Sequence, residues 1–246
     1  MMRVAAMADV HFGRDSAGTL RPHLRDIGHE ADVLLIAGDL TTCGHPDEAR
    51  VLAHELEGLP VPVVAVLGNH DHHADRAAEL RAVMEAGGVT VLEGQATVVE
   101  LDGGRLGVAG AKGFGGGFVG ACAADFGEAE MKAFVRHTKE VAGRLRATLE
   151  GLDTPARVAL LHYSPVEATL HGERPEIFPF LGSYLLAEAV DHAGADLVLH
   201  GHAHAGSPQG ATPGGVPVRN VAQPVIGSAY QVFTLLETPA GAARAD

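Results

Sequence analysis

Three apolar runs in the first third of the chain, residues 4–8, 33–37 and 61–67, each stop at a polar cluster containing an aspartate. Short, valine-rich runs of this kind read as buried strands. Between the first two, Leu20, Leu24 and Ile27 recur at helical spacing and predict a packing helix over residues 19–30. Residues 46–59 predict the next helix, with proline early and Gly58 near its end, as helix termini prefer. After the third strand, residues 74–85 read as a helix ended by Gly87-Gly88. Strand and helix in alternation call for a sheet covered by helices, and such sheets place ligands at the C-terminal ends of their strands. Asp9-Val10-His11, Gly38-Asp39-Leu40-Thr41-Thr42 and Gly68-Asn69-His70-Asp71 all fall at such ends. Along extended backbone Asp9 and His11 would point to the same side, a natural two-ligand clip. Glycine lets the chain turn and leaves Asp39 at the mouth, where its two oxygens could bridge two cations.

The remainder reads differently. Residues 89–92, 96–101 and 105–109 are short β segments, the last two joined through Asp102-Gly103-Gly104, a hairpin signal. Gly115, Gly117 and Gly120 match G-x-G-x-x-G, but no βαβ unit surrounds them, so a connecting loop bearing Phe114 and Phe118 is expected over residues 113–120. An amphipathic helix is expected over residues 126–152, with apolar positions Met131, Phe134, Val135, Val141, Leu145 and Leu149. Residues 157–161 form a strand ending in His162-Tyr163-Ser164-Pro165, followed by an insert, residues 166–184, that roofs a site, forms a subunit contact or simply packs on the body. After a short helix over 185–192, the strand 196–199 ends in His200-Gly201-His202-Ala203-His204. Closing strands fall at 216–222 and 231–237, and residues 239–246 read as a frayed tail. The whole chain, 1–246, is expected to form one domain, with residues 164–184 as a cap or rim.

Histidine is over-used: there are 15, against three tyrosines and no tryptophan. Imidazoles at 200, 202 and 204 would crowd and repel on protonation unless a metal or hydrogen-bond network organises them, so metal ligation is favoured, with His200 behind the ligands. The formal charge of −13 opposes a nucleic-acid footprint. No apolar segment approaches the ~20 residues of a membrane span. The N-terminal segment shows no secretory signal, and two cysteines, Cys43 and Cys122, do not make a disulfide framework, so a cytoplasmic protein is expected. Oligomeric state is not legible.

Asp9-x-His11, Gly38-Asp39, Gly68-Asn69-His70-Asp71, His162 and Gly201-His202-x-His204, in that order, each after a β segment, resemble the signature of the calcineurin-like metallophosphoesterases. The resemblance implies an α/β fold of two β-sheets flanked by helices in four αββα layers. It implies two divalent or trivalent metal ions, one held by Asp9, His11, Asp39 and His204, the other by Asp39, Asn69, His162 and His202. Oxygen and imidazole donors suit manganese, iron or zinc. Two cations ~4 Å apart generate a hydroxide at neutral pH and clamp the oxygens of an in-line phosphoryl transition state. The implied activity is hydrolysis of a phosphodiester or phosphomonoester by a metal-bridging hydroxide, with His70 as general acid and a small phosphorylated substrate. Phosphoprotein phosphatases of this family read Gly-Asp-x-x-Asp-Arg-Gly, whereas this chain reads Gly38-Asp39-Leu40-Thr41-Thr42-Cys43-Gly44. The missing aspartate is the usual carboxylate partner of the catalytic histidine. Gly-Asp-Leu-Thr with Gly-Asn-His-Asp looks more like the small bacterial phosphodiesterases, including the class III cyclic-nucleotide enzymes. Asp71 is expected in a turn or helix cap, and His171 and Arg174 are the insert residues nearest in kind to a phosphate contact. The alternative class is a non-catalytic metal-binding scaffold on the same fold, which would be free to lose ligands, while a TIM-barrel amidohydrolase would want His-x-His on its first strand.

Overall fold

The computed structural model describes residues 1–236, so the frayed tail expected at 239–246 lies outside the described residues, as does Glu237. The first sheet holds β1 (Met2–Met7), β2 (Val33–Ala37), β3 (Val63–Val66), β4 (Val89–Val91) and β13 (Gln231–Leu235) in the order β13-β1-β2-β3-β4. Its first four strands run parallel, and β13 is antiparallel to β1. The second sheet holds β5 (Gln95–Leu101), β6 (Gly104–Ala111), β9 (Ala156–Leu161), β10 (Leu197–His200), β11 (Gln209–Ala211) and β12 (Pro217–Asn220) in the order β11-β12-β10-β9-β6-β5. Four of them, β6, β9, β10 and β12, are mutually parallel. A two-stranded ribbon, β7 (Gly117–Phe118) and β8 (Ala121–Cys122), occupies the glycine-rich loop.

Alternation along the strands divides the core into layers. Val4, Ala6, Val33, Leu35, Val64 and Val66 face Leu106, Val108, Val158, Leu160, Leu197 and Leu199 across the gap between the sheets. The intervening residues Ala5, Met7, Leu34, Ile36 and Ala65 face outward onto α1 (Ile27–Glu30), α2 (Pro46–Leu56) and α3 (Ala77–Ala86). On the far side Ala109, Ala159, Leu161 and Val198 pack on Leu145 and Leu149 of α4 (Ala129–Glu150) and on Leu186 and Val190 of the later helix α6 (Tyr184–Ala193). The shorter α5 (Phe178–Leu181) lies in the insert, and α7 (Gln223–Ile226) precedes β13. Strands buried on both faces explain why their sequences are apolar without interruption. The result is the expected four-layer αββα arrangement. No helix among the described residues is long and apolar enough to cross a membrane.

Two local expectations need correction. In place of a helix over residues 19–30, the chain makes a 3-10 turn, Arg21–Leu24, and the four-residue α1. The buried carboxylate of Glu55 accepts the amides of Gly18, Leu20 and Arg21, so the first amides of the segment are satisfied from α2. Leu20, Leu24 and Ile27 are buried all the same, so their spacing marked the inward face and not the helix. The second correction concerns Asp9 and His11. Extended alternation does not bring them together, because β1 ends at Met7 and both residues take left-handed backbone, φ 58° and 44°.

Candidate metal centre

Five strand ends converge at the C-terminal edge of the two facing sheets: those of β1, β2 and β3 from one, and of β9 and β10 from the other. The loops after β1 and β2 are zipped together, with the amides of Asp9, His11 and Phe12 donating to the carbonyls of Gly38, Asp39 and Leu40. The donor atoms of Asp9, His11, Asp39 and His204 lie within 4.8 Å of one another, and so do those of Asp39, His162 and His202. Asp39 belongs to both groups. Its Oδ2 is 3.8 Å from His11 Nε2, and its Oδ1 is 3.3 Å from His162 Nε2. Asn69 adds a neutral oxygen, with Oδ1 2.9 Å from His162 Nε2.

The backbone is bent to achieve this. Of the five non-glycine residues with positive φ among the described residues, four are Asp9, His11, Asp39 and His202. Left-handed backbone is disfavoured for L-residues, and its concentration at one place is the mark of a site whose surroundings over-determine it. A Cβ at Gly68 would collide with the Asp39 carboxylate, which explains why glycine follows β3. Asp71 then locks the arrangement. Its Oδ1 accepts from the amide and hydroxyl of Thr41, and its Oδ2 from the amides of Leu40 and Gly68. The expected turn or cap role for Asp71 is therefore corrected: it is a fully buried clamp between the loops after β2 and β3.

Residues 2–206 match the family model of the calcineurin-like phosphoesterases. The chain belongs to that family. A comparison with curated proteins returns no match. Among solved structures, this calcineurin-like phosphoesterase is similar to phosphopantetheinyl hydrolase from Mycobacterium tuberculosis, with 18% identity, a TM-score of 0.66, and coverage of 94% of this chain and 95% of that one. The protein TT1561 of Thermus thermophilus is similar at 19% identity and a TM-score of 0.55, covering 95% and 98% of the two chains. A putative 5′-nucleotidase from Staphylococcus aureus gives 15% identity and a TM-score of 0.56, over 89% of this chain and 48% of that one. At such identities the likeness is one of fold.

The donor set fits cations on its own chemistry. His162 Nδ1 donates to the Ala37 carbonyl at 2.9 Å, which fixes the tautomer and turns Nε2 toward two oxygens, those of Asp39 and Asn69. A bare lone pair facing two acceptors is repulsive, so either a proton or a metal ion must lie between them. In the metal-free chain it is the proton. Burial alone would lower His162, but the Asp39 charge and hydrogen bond outweigh it and push it up to about 9. Burial likewise opposes the Asp39 anion, yet the His162 charge and the His70 amide hold its carboxyl well below the usual range. Burial and the His162 charge press His202 down to about 3, so it stays neutral, as a ligand must. The Asp9 hydrogen bond, at 2.9 Å, raises His204 against its burial.

His70 lies beside this centre. Its ring meets the His11 ring edge-on at 4.6 Å, and its Nδ1 is 2.8 Å from the Thr42 carbonyl. His200 is buried outside both donor groups, between the Gly201 carbonyl and the Thr169 hydroxyl. In the insert, the Phe180 carbonyl lies 3.4 Å from His202 Nε2, and Leu170 and Leu181 pack with Phe118 and Ala203, so part of it covers the His202 side. His171 and Arg174, singled out from the sequence, are both outside the two donor groups, and both are exposed. Three contributors were not signalled as such in the sequence. Thr42 acts through its carbonyl, which carries no side-chain signal. Tyr163 stacks on His202 at 4.3 Å between ring centroids. Lys112 directly follows β6, and only the strand order shows that this strand end lies beside that of β9.

Proposed function

We propose that the protein is a dinuclear-metal-dependent phosphoesterase that hydrolyses a small phosphodiester or phosphomonoester, with His70 as general acid. The observation that carries this reading is the sharing of Asp39 between two donor groups, one oxygen toward each. Cations bound there, of the manganese, iron or zinc type, supply Lewis acidity, acidify water and offset phosphoryl charge in a protein of charge −13. Asp9, His11, Asp39 and His204 would hold one ion, and Asp39, Asn69, His162 and His202 the other.

His70 is oriented rather than free. Because a carbonyl only accepts, the Thr42 contact requires hydrogen on Nδ1, and Nε2 is the atom left to face the site. In the imidazolium form Nε2 also carries a proton, and it gives that proton to the alkoxide oxygen as the P–O bond to the leaving alcohol breaks. The neutral ring that remains keeps the Thr42 hydrogen bond, so its orientation survives the transfer. The Asp39 carboxylate bonds the His70 amide at 2.9 Å, which couples the position of the acid to that of the bridging residue.

The net charge of −13 disfavours long polyanions, and the likeness to a phosphopantetheinyl hydrolase supports a small phosphorylated substrate. The test is turnover of bis(p-nitrophenyl) phosphate and p-nitrophenyl phosphate by the manganese-loaded protein. Hydrolysis of at least one is expected, and folded, metal-loaded protein inert toward both would overturn the reading.

A further inference from the structure

A cavity of about 270 Å³ opens beside the metal centre, lined by His72, Glu93, Lys112, His137 and Arg144 among others. Its place follows from strand order. In the first sheet β4 lies next to β3, and Glu93 follows β4; in the second β6 lies next to β9, and Lys112 follows β6. The cavity is thus one strand further along the same C-terminal edge that carries Asn69 and His162. Lys112 is bound directly to that edge, since its carbonyl accepts the amides of His162 and Tyr163, both at 2.9 Å.

The lining is cationic in a protein that is otherwise acidic. Lys112 Nζ lies 5.3 Å from the Phe114 ring centre and 5.4 Å from that of Tyr163, so its ammonium group sits over both rings. Tyr163 in turn stacks on His202, which makes it the partition between Lys112 and the metal centre. No salt bridge among the described residues engages Lys112 or Arg144. The one carboxylate, Glu93, is half-buried and commits Oε1 to the Leu67 amide at 3.2 Å. His72 contributes a buried Nε2 with no hydrogen-bond partner, and His137 stands edge-on to Phe114 at 4.6 Å. Lys112, Arg144, His72 and His137 converge on this space against the single carboxylate of Glu93, so its positive charge is in excess there and an anion would complete it. Against a water's share of about 30 Å³, the space admits a phosphate or carboxylate with its linking atoms.

We propose that this cavity is an anion subsite, in which Lys112 and Arg144, assisted by His72 and His137, bind a second ionised group of a substrate whose reacting phosphate lies on the metal centre. The assignment rests on the phosphoesterase reading and narrows it to substrates carrying two anionic groups. A free anion would satisfy the same lining, so the test separates the two sources.

The probes are alkanediol bisphosphates, from ethanediol to hexanediol, and the matching alkanol monophosphates, titrated calorimetrically into the metal-loaded protein. At least one bisphosphate is expected to bind about tenfold or more tighter than its monophosphate, the scale of one charge-assisted pair. Lys112→Met and Arg144→Gln should each reduce that ratio toward one; Arg144 is exposed on α4, so its replacement keeps the test alive if Lys112→Met fails to fold. No discrimination by the native protein, or discrimination untouched in both variants, overturns the proposal. Inorganic phosphate binding that depends on Lys112, without discrimination between the two probe series, would assign the cavity to a free anion and overturn it too. Lys112-dependent discrimination without hydrolysis of any probe would support the subsite and count against the phosphoesterase reading, so the two failures are distinguishable.

Discussion

The Nδ1 atom of His70 lies 2.8 Å from the carbonyl oxygen of Thr42, and this backbone contact stands where the family pattern leads one to expect a carboxylate. A carbonyl orients the ring and fixes the proton on Nδ1 but adds no full negative charge, so it stabilises the imidazolium less than an aspartate does. The His70 ring, the general acid of the proposed mechanism, is thereby held in place by backbone.

His70→Ala should lower kcat by about 10²-fold or more while leaving metal content unchanged, the usual scale for a general acid. The loss should be larger for alkyl esters than for p-nitrophenyl esters, whose leaving group needs little protonation. Steady-state kinetics with elemental analysis of the purified variant checks both parts. Loss of metal along with activity would place His70 among the ligands instead.

Asp39→Asn and Asp9→Asn should differ in stoichiometry. Asp39 serves both donor groups, whereas Asp9 serves one. The Asp39 variant is expected to lose both ions and the Asp9 variant mainly one, as read by elemental analysis after dialysis against a fixed manganese concentration. Equal loss in the two variants would contradict the sharing.

Asp71→Asn probes the clamp without touching a ligand. Both oxygens of Asp71 accept two donors, from Leu40, Thr41 and Gly68. An amide in either orientation turns an NH₂ group against two of those donors in a fully buried position, which should cost on the order of 2–4 kcal/mol. Denaturant unfolding of the metal-free protein measures it. A midpoint unchanged from the native protein would mean that the loops hold each other without the carboxylate.

Much of this was legible in the sequence, and for identifiable reasons. Uninterrupted apolar runs such as residues 33–37 revealed the parallel strands because burial on both faces leaves no polar alternation to read. Asp9, His11, Asp39, Asn69, His162, His202 and His204 could be named because metal-binding residue types recur at strand ends, and the structure brings them together. What escaped was whatever lives in long-range or backbone contacts. The Glu55 carboxylate that replaces a helix at residues 19–30 lies more than thirty positions away, and local periodicity has no access to it. Left-handed backbone at Asp9 and His11 is invisible to a rule that assumes extended geometry. Asp71 looked like a turn residue because its partners Leu40 and Thr41 belong to another strand end.

Gly68→Ala follows from the closest approach in the site. The added methyl would run into the carboxylate and amide of Asp39, and the carboxylate is held by the His70 amide. The variant should fold with reduced stability and lose metal from both groups, since the shared ligand is displaced. Activity at saturating manganese that matches the native protein would show that the Asp39 loop yields freely.

The Asp39–His162 pair makes stability and metal binding respond to pH in opposite senses. With the folded pKa of His162 raised from 6.5 to about 9, its contribution to the metal-free protein is complete below pH 6.5 and disappears as pH rises through 9. Asp39, depressed from 3.8, contributes fully above that value and loses its share only as pH falls through its lower folded value. The pair therefore stabilises the chelated protein most between pH 3.8 and 6.5, and its share of the melting temperature should fall from pH 6.5 to 9. Metal must displace the His162 proton, so apparent affinity at the Asp39, Asn69, His162 and His202 group should rise about tenfold per pH unit over the same interval. Calorimetric melts of chelated protein and manganese titrations at matched pH check the two trends together. His162→Asn removes the titrating group, and a pH slope that persisted in that variant would assign the proton to another residue.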